Sequence, residues 1–331
     1  MGRARDSRRD LRTGGEWTRL QRVKNDLIYG LAMLALAASR ALPFQALRVL
    51  GRAVGAVAHA LAGKARRTAL ANVHRVFPEA DETARRALVR RSFVTMGELL
   101  VDAVALLHTR GGPLLELDPD GRAVIDEARR EGRGIVFASA HLGPWERVAA
   151  SLVAAGVPLT TIARESYDPR FTRIYARLRG DRGVGVVWRA GARSMTATTG
   201  IVRTLRAGGV LGVPMDLRSR VPSCVAAFLG HPAPTPVGPA RIALRTGAAV
   251  VVGTVAPAGD SPVAGGDPQR LVITATRIRT SDLDFRGDGA ELELTTRING
   301  ELSRRILAIP HAWVWMHERW TPFAEYDVNF G

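Results

Sequence analysis

The chain has 331 residues, of which 46% are hydrophobic, so it is long enough to bury a substantial core and its composition is not that of a disordered protein. Its formal net charge is +16, and residues 1–66 hold 13 Lys/Arg against four Asp/Glu. This asymmetry predicts an anionic partner, either a membrane surface or a nucleic acid. The single cysteine, Cys224, excludes an internal disulfide framework and a thiolate metal cluster within one chain.

The N-terminal part divides into a basic arm and an apolar region. Residues 1–24 are rich in arginine and show no apolar period. Residues 27–38 are largely apolar, but a segment of this length is shorter than the roughly 20 residues that span a bilayer. Residues 42–62 place Arg48, Arg52 and His59 on one side of a helix, which is typical of an amphipathic helix at a membrane surface. We therefore predict membrane-associating helices over residues 25–64.

Two other interpretations of this region stay open. Residues 35–37, Ala-Leu-Ala, are similar to a signal-peptide cleavage site, although the charged region is long and apolar sequence continues beyond it. The helices could instead pack only on the protein's own core. The basic flank favours a cytoplasmic N-terminus, with the chain held peripherally, monotopically or by a single N-terminal anchor.

Downstream, the pattern is helical from residue 66 to about residue 108, with Asp81 as an N-cap, and residues 111–119 are predicted to be a linker. Short β-like runs then alternate with helical ones, which predicts an α/β fold with a mostly parallel central sheet flanked by helices. At least one of Trp313 and Trp315 is expected in the core. The predicted strands lie near 134–140, 158–163, 184–188, 210–215, 249–255 and 270–277, and the predicted helices near 121–131, 144–155, 169–180, 195–207, 237–247 and 290–308.

The stretch GIVFASAHLGPWE, residues 134–146, carries the first candidate chemistry. His141 follows a buried apolar run and so lies at the C-terminal end of a strand, where open α/β sheets bind ligands. Pro144 suits the first helical position, which puts Glu146 in the first turn of the next helix, near the positive end of its dipole. The carboxylate can then hold one imidazole nitrogen while the other faces the crevice.

This pair is a base and an orienting carboxylate without an enzyme nucleophile, because the chain contains no G-x-S-x-G elbow. The attacking hydroxyl is therefore predicted to belong to the substrate, in a direct transfer of an acyl group to an alcohol. A structural alternative remains, in which His141 is a satisfied buried histidine and Glu146 only stabilises a helix N-terminus.

Several stretches in a fixed order carry a family resemblance. They are ANVHRVFPE at 71–79, HLGPWE at 141–146, ARES at 163–166, VPMDLRSR at 213–220 with FLG and TPVG after it, and IPHAWVWMHERW at 309–320. From about residue 25 to residue 320 the chain resembles the bacterial lipid A biosynthesis (lauroyl/myristoyl-type) acyltransferases of the lysophospholipid acyltransferase superfamily. The HX4E motif alone is weakly specific, whereas the ordered set is strong.

The resemblance implies a glycerolphosphate-acyltransferase-like domain over residues 65–331, with His141 as general base and Glu146 orienting it. It implies an acyl carrier protein (acyl-ACP) or CoA thioester as donor and a glycolipid acceptor, in first place a lipid A precursor of lipopolysaccharide biosynthesis. It also implies the cytoplasmic face of the bacterial inner membrane, with no cofactor and no metal. The family's usual spanning segment is short here and interrupted at Arg40 and Pro43.

Further candidate substrate-binding residues follow from the same resemblance and from their places on the predicted elements. Arg164 matches a family arginine close to the catalytic pair and could neutralise a phosphate or an oxyanion, unless it only caps a strand edge. Asp216 shares the sheet edge of His141 and either binds acceptor or pairs with Arg164 or Arg218. The remaining candidates are Trp145, Arg189, Thr235, Gly238, Arg173 and Arg177.

Each of these assignments has a plainer alternative. Thr235 and Gly238 belong either to a loop that lines the site or to a simple loop-to-helix turn. Arg173 and Arg177 share a helix face with Arg170, ahead of Arg179 and Arg182, and this face either meets donor or lipid phosphates or is merely solvated. A phosphatidylinositol mannoside or other lipid acyltransferase, and a non-catalytic lipid- or carrier-binding scaffold, stay as alternative functions. Nucleic-acid binding is not expected, since no recognition motif is present.

Overall fold

The computed structural model describes residues 15–107, 114–189, 195–219, 221–258, 270–287 and 289–320. Eight strands occur in this part of the chain, and six of them form one sheet. Their bounds agree with the predicted alternation to within two residues, apart from an additional hairpin. The strands are β1 (Ile135–Ser139), β2 (Leu159–Arg164), β3 (Gly185–Arg189), β4 (Val210–Pro214), β5 (Ser223–Phe228), β6 (His231–Pro236), β7 (Ala249–Pro257) and β8 (Leu271–Ile278).

The six-stranded sheet has the order β3-β2-β4-β1-β7-β8 and is parallel except for β8, which runs antiparallel to β7. The predicted α/β class with a mostly parallel central sheet is therefore confirmed. Strand β1 lies between β4 and β7, with Ile135 opposite both Val210 and Ala249. Side chains on both faces of β1 are buried, as expected for a parallel strand covered by helices. The order also makes the C-terminal ends of β1 and β4 direct neighbours.

Helices cover the sheet and extend from it at the N-terminus. Ten α-helices lie in the described residues, and a short 3₁₀ turn, Pro310–Ala312, follows the last of them. They are α1 (Arg19–Ala41), α2 (Phe44–Leu61), α3 (Gly63–Val76), α4 (Glu82–Ala105), α5 (Pro119–Arg130), α6 (Trp145–Ala154), α7 (Pro169–Gly180), α8 (Met195–Arg206), α9 (Gly238–Thr246) and α10 (Ala290–Ala308).

Helix α1 begins within the predicted basic arm, ahead of the region 25–64 predicted for the membrane-associating helices. Thr18 caps α1 in a reciprocal capping box with Gln21, so the helix includes the end of the predicted basic arm. Residues 1–14 of that arm lie outside the described residues. The predicted N-cap at Asp81 is confirmed, since its side chain accepts a hydrogen bond from the Ala84 backbone N–H at 2.7 Å. The predicted linker at 111–119 is described only from residue 114.

Helix α2 packs closely on α4, and its basic side takes part in that contact. Gly51 and Gly55 lie against Gly97, so the two helix backbones approach each other without intervening side chains. Arg48 and Arg52 both bond to Glu98 of α4, at 3.2 and 2.5 Å. The amphipathic helix therefore turns its charges toward the protein, and its apolar side is exposed.

Exposed apolar side chains run along the outside of both N-terminal helices. No helix among the described residues combines the length and the hydropathy needed to cross a bilayer. The exposed residues on α1 are Leu20, Val23, Leu27, Ile28, Leu31, Met33 and Leu34, and those on α2 are Val49, Leu50, Val54, Val57 and Leu61. We call this set the apolar helix surface.

Strands β5 and β6 form a separate two-stranded antiparallel hairpin that the sequence pattern did not predict. It packs against α10, and Leu229 at its turn has a positive φ of 48°. The C-terminal aromatic tail lies beneath the hairpin. Trp313 and Trp315 are both fully buried, which confirms the prediction that at least one of them belongs to the core.

Candidate active site

The chain turns sharply between β1 and α6, and this turn presents His141. Gly143 has a φ of 61°, and a Cβ at this position would overlap the Val255 side chain, so glycine is required on both counts. Its N–H donates to the Ala312 carbonyl at 3.0 Å, which fastens the turn to the tail. Pro144 occupies the N-cap position of α6, one residue earlier than expected. His141 therefore projects from the C-terminal end of the central strand.

Asp216 holds His141 at two atoms. One carboxylate oxygen accepts the His141 backbone N–H at 2.8 Å, and the other lies 3.0 Å from the imidazole Nδ1. Trp313 donates its indole N–H to the same carboxylate at 2.8 Å. Asp216 lies just beyond β4, the neighbour of β1. Its side chain is fully buried, so it bonds to these protein groups instead of to solvent.

This geometry fixes the imidazole tautomer. An ionised carboxylate can only accept hydrogen bonds, so Nδ1 carries the proton that it donates to Asp216. Nε2 is then unprotonated in the neutral ring and has a lone pair available as a base. About a quarter of the His141 side chain remains exposed, so a substrate can reach it.

The expectation that Glu146 holds the imidazole is corrected by these contacts. Glu146 lies in the first turn of α6, as predicted, but its carboxylate accepts hydrogen bonds from Arg179 at 2.9 and 3.1 Å and from the Tyr175 hydroxyl. Arg179 also bonds to the Thr161 hydroxyl at 2.6 Å. The cause is the sheet order: Asp216 arrives beside His141 from β4, while α7 brings a guanidinium to Glu146.

The two carboxylates act on the pKa of His141 in the same direction. Burial lowers the pKa of His141, but the charge of Asp216, its hydrogen bond and the charge of Glu146 outweigh burial, so the pKa lies above its ordinary value. Burial raises the pKa of Asp216, and His141 and Trp313 more than reverse this, leaving it below its usual value. The pair therefore favours an ionised Asp216 beside an imidazole whose protonated form is stabilised.

Tyr175 stays protonated beside Glu146. Burial and the negative charge of Glu146 both raise the pKa of the Tyr175 phenol. Its hydroxyl donates to Glu146 and accepts from Arg179 at 2.5 Å. Tyr175 and Arg179 are four residues apart and so lie on one side of α7, which explains how one helix supplies both contacts.

Apart from Asp216, Trp145 is the predicted site residue that contacts the His141 ring among the described contacts. The two rings meet edge to face, with centroids 5.2 Å apart. This contact places the indole at the wall of the crevice beside the imidazole.

The predicted arginines have different places from those expected. Arg164 ends β2 and is exposed. The guanidinium that bonds to Glu146 belongs instead to Arg179, which the sequence pattern indicates only as part of a basic helix face. Arg173 and Arg177 are exposed on α7, and Arg177 pairs with Asp181 at 3.1 Å. Arg189 ends β3, and its side chain lies outside the described part of the structure.

The expectation that Thr235 lines the site is wrong. Thr235 is fully buried in β6, and its hydroxyl accepts hydrogen bonds from Arg319 at 2.8 Å and from Asn299 at 3.0 Å. It therefore joins the hairpin to the tail and to α10. Gly238 is the exposed first residue of α9, and none of its described contacts reaches His141.

Sequence reasoning missed three residues that complete the site: Tyr175, Arg179 and Trp313. The first two had a usable signal, since a Tyr and an Arg four residues apart lie on one helix face. Trp313 had none beyond its likeness to a core residue. Among the described residues, no group of three or more His, Cys, Asp or Glu side chains is arranged to hold a metal ion.

The arrangement is an accessible histidine that is hydrogen-bonded to a buried carboxylate, next to a second carboxylate held by Arg and Tyr. The family model described as bacterial lipid A biosynthesis acyltransferase matches residues 19–321. No curated protein matches the chain.

Proposed function

Because the chain belongs to the bacterial lipid A biosynthesis acyltransferase family, and is thus an acyltransferase, we propose that it transfers a fatty acyl group from an acyl-carrier-protein or CoA thioester to a hydroxyl of a glycolipid. The acceptor in this proposal is a lipid A precursor. The observation that carries it is the Asp216–His141 hydrogen bond, which leaves Nε2 of an accessible imidazole free to act as a base.

In the proposed reaction, His141 Nε2 removes the proton from the acceptor hydroxyl as its oxygen attacks the thioester carbonyl carbon. A tetrahedral intermediate forms, and its collapse breaks the carbon–sulfur bond. The imidazolium then returns its proton to the thiolate that leaves. Asp216 stabilises the imidazolium throughout, because its carboxylate is fully buried and lies 3.0 Å from Nδ1.

Glu146 has a different part in this proposal from Asp216. Its negative charge adds to the field that favours the imidazolium, while Arg179 and Tyr175 hold it in place. We therefore regard Glu146, Tyr175 and Arg179 as positioning residues. Arg164, exposed at the end of β2, is proposed to contact a substrate phosphate or the developing oxyanion.

We further propose that the protein associates with the cytoplasmic face of the inner membrane through the apolar helix surface, with the basic N-terminal region attracted to anionic lipids. The support is that α2 turns Arg48 and Arg52 toward Glu98 and leaves its valines and leucines exposed. A lipid acceptor would then meet the site without leaving the bilayer surface.

The test supplies a labelled acyl-carrier or CoA thioester with a panel of acceptors and identifies the product by mass. The panel contains a lipid A precursor, a phosphatidylinositol mannoside and a phospholipid. We expect His141→Ala to lower the rate by about 10² to 10⁴. His74→Ala is the matched control, because His74 is exposed on α3, outside the proposed site.

Four outcomes would decide the proposal. Acylation of the lipid A precursor by the wild type and by His74→Ala, but not by His141→Ala, supports it. Acylation of only the mannoside or the phospholipid would overturn the lipid A precursor as acceptor and put that lipid in its place. Lipid binding without transfer to any acceptor would favour the scaffold, and full turnover by His141→Ala would overturn the base mechanism.

A further inference from the structure

A cavity of about 120 Å³ lies in the seam between α1 and α7. Five apolar side chains and two arginines line it: Met33, Leu36, Ala37, Leu107, Ile174, Arg40 and Arg177. The pocket is open to solvent on one side, and its almost wholly apolar lining favours a hydrocarbon group over water. The lining therefore selects an apolar ligand, and Arg40 and Arg177 contribute the hydrocarbon stems of their side chains to it, while both residues remain exposed to solvent.

The positive charges of the two arginines are not strongly neutralised by ion pairs within the described residues. Both are exposed, and Arg40 makes no ion pair with any described residue. Arg177 pairs with Asp181, a pair that is more than half exposed on both sides and so contributes little. A phosphate between the two guanidinium groups would gain charge-assisted hydrogen bonds from both.

The cavity is separate from the reacting groups. Tyr175 and Arg179 face Glu146, whereas Ile174 and Arg177 face the cavity. At 100° per residue, these two pairs point about 150° apart around α7. A ligand in the cavity therefore lies across the helix from His141 and Glu146 and is not the acyl chain under transfer.

The cavity is continuous with the apolar helix surface, because Met33 belongs to both. A lipid with two chains could leave one chain in the bilayer and insert the other into the seam. The site thus fits an ordinary membrane lipid better than a soluble metabolite. The positive net charge of the chain, concentrated in its first 66 residues, favours an anionic headgroup.

We propose that the seam between α1 and α7 binds one acyl chain of an anionic membrane phospholipid, with the headgroup phosphate between Arg40 and Arg177. This site goes beyond the proposed reaction and rests only on the membrane association proposed with it. Asp26 of α1 also pairs with Arg170 of α7 at 2.6 Å, so the lipid would reinforce a seam that is already joined at its other end.

The experiment uses the full chain and phosphatidylglycerol with a photoactivatable group in one acyl chain, carried in phosphatidylcholine vesicles. After illumination, labelled peptides are mapped by mass spectrometry. We expect labels on residues 33–37 of α1 and on Ile174 of α7. A phosphatidylcholine probe with the same chain should label these positions several-fold less.

Arg40→Gln and Lys24→Gln form a matched pair, because both remove one positive charge from α1. Lys24 is exposed and lies 16 residues, or about 24 Å, from Arg40 along the helix. Arg40→Gln should reduce labelling of Ile174 about fivefold, and Lys24→Gln should leave its labelling pattern unchanged. Ala37→Trp, which fills the cavity, should abolish the Ile174 label while the protein still floats with vesicles.

Equal labelling by the two probes, equal effects of the two charge variants, or an unchanged Ile174 label in Ala37→Trp would each overturn the proposal. The readout does not depend on catalysis. A labelled seam in a protein that acylates nothing would overturn the proposed function and leave the lipid site supported.

Discussion

At the scale of single residues, the carboxylate that touches the histidine is the one expected to govern the chemistry. Asp216 binds His141 at its backbone N–H and at Nδ1, and it is itself held by Trp313. Asp216→Asn keeps the size of the side chain but lets the amide donate to Nδ1, which turns the ring to the tautomer with its proton on Nε2. The base is then blocked, and kcat should fall by about 10² or more.

Steady-state turnover with a saturating donor measures this loss. Asp126→Asn is the control, because Asp126 is an exposed partner of Arg122 on α5, outside the proposed site. Wild-type turnover in Asp216→Asn would mean that Asp216 does not set the tautomer of the catalytic base.

The pH dependence of the reaction follows from the direction of the His141 pKa. The base must be unprotonated, so kcat/KM should rise with pH through the pKa of His141, which lies above the ordinary imidazole value of about 6.5. The negative charge of Glu146 raises that pKa. Glu146→Gln removes the charge, and the acidic limb of the profile should therefore move to lower pH, whatever happens to the maximal rate.

A profile of kcat/KM against pH for the wild type and Glu146→Gln tests this sign. Glu79→Gln provides the control, since Glu79 is exposed in the turn between α3 and α4. A limb that moves to higher pH in Glu146→Gln would contradict the assignment of the limb to His141.

The motif predicts that His141 and Glu146 lie close together at one edge of the sheet, and the structure places them there. This was possible because a strand end followed by Gly-Pro and a helix is a local sequence pattern. The partner of His141 is not local. Asp216 is 75 residues away in sequence and comes into place only because β4 is inserted next to β1. Local spacing therefore singles out His141 as a candidate base but cannot say which carboxylate holds it.

At the scale of elements, the missed hairpin shows where sequence patterns fail. Strand β6 contains Pro232, Pro234 and Pro236, which lack an N–H and normally argue against a strand. They alternate with His231, Ala233 and Thr235, so all three prolines occupy the same kind of position, every second residue, in the antiparallel ladder. A two-stranded hairpin tolerates this, because one set of N–H groups points away from the partner strand.

The contact between α2 and α4 depends on glycines, which makes it open to test. A Cβ at Gly97 would overlap the Gly51 carbonyl oxygen, so Gly97→Ala must push α2 away from α4. We expect a loss of about 1 to 3 kcal/mol in the free energy of unfolding, measured by denaturant titration.

Gly30→Ala is its matched control, because a Cβ at Gly30 of α1 has open space around it. This change should stabilise the protein by about 0.5 to 1 kcal/mol, since alanine is the better helix former. Stabilisation by Gly97→Ala would show that α2 does not pack on α4 at this distance.

At the scale of the whole molecule, composition and periodicity carry different amounts of information. Alternating short strands and helices predicted the mostly parallel sheet, because a parallel strand needs a covering helix to return the chain. Charge predicted an anionic partner, but not the orientation of α2. The sequence shows that Arg48 and Arg52 share a side; only the fold shows that Glu98 lies opposite them.

That orientation leads to a prediction for the entire protein at a membrane. If the apolar helix surface contacts lipid, Leu50→Glu with Val54→Glu should weaken binding to anionic vesicles. Both side chains are about half exposed on α2, so the change removes apolar contacts with the bilayer and leaves the packing on α4 intact. The expected loss is about 2 kcal/mol, which is more than tenfold in the partition coefficient measured by vesicle flotation.

The control carries the same two changes elsewhere, as Val225→Glu with Phe285→Glu. Val225 lies on β5 and Phe285 in the turn before α10, and both are exposed apolar residues outside the N-terminal helices. Equal weakening by the two double variants would mean that vesicle binding follows net charge alone, since both add two negative charges. A selective effect of the α2 variant would assign the membrane contact to the apolar helix surface.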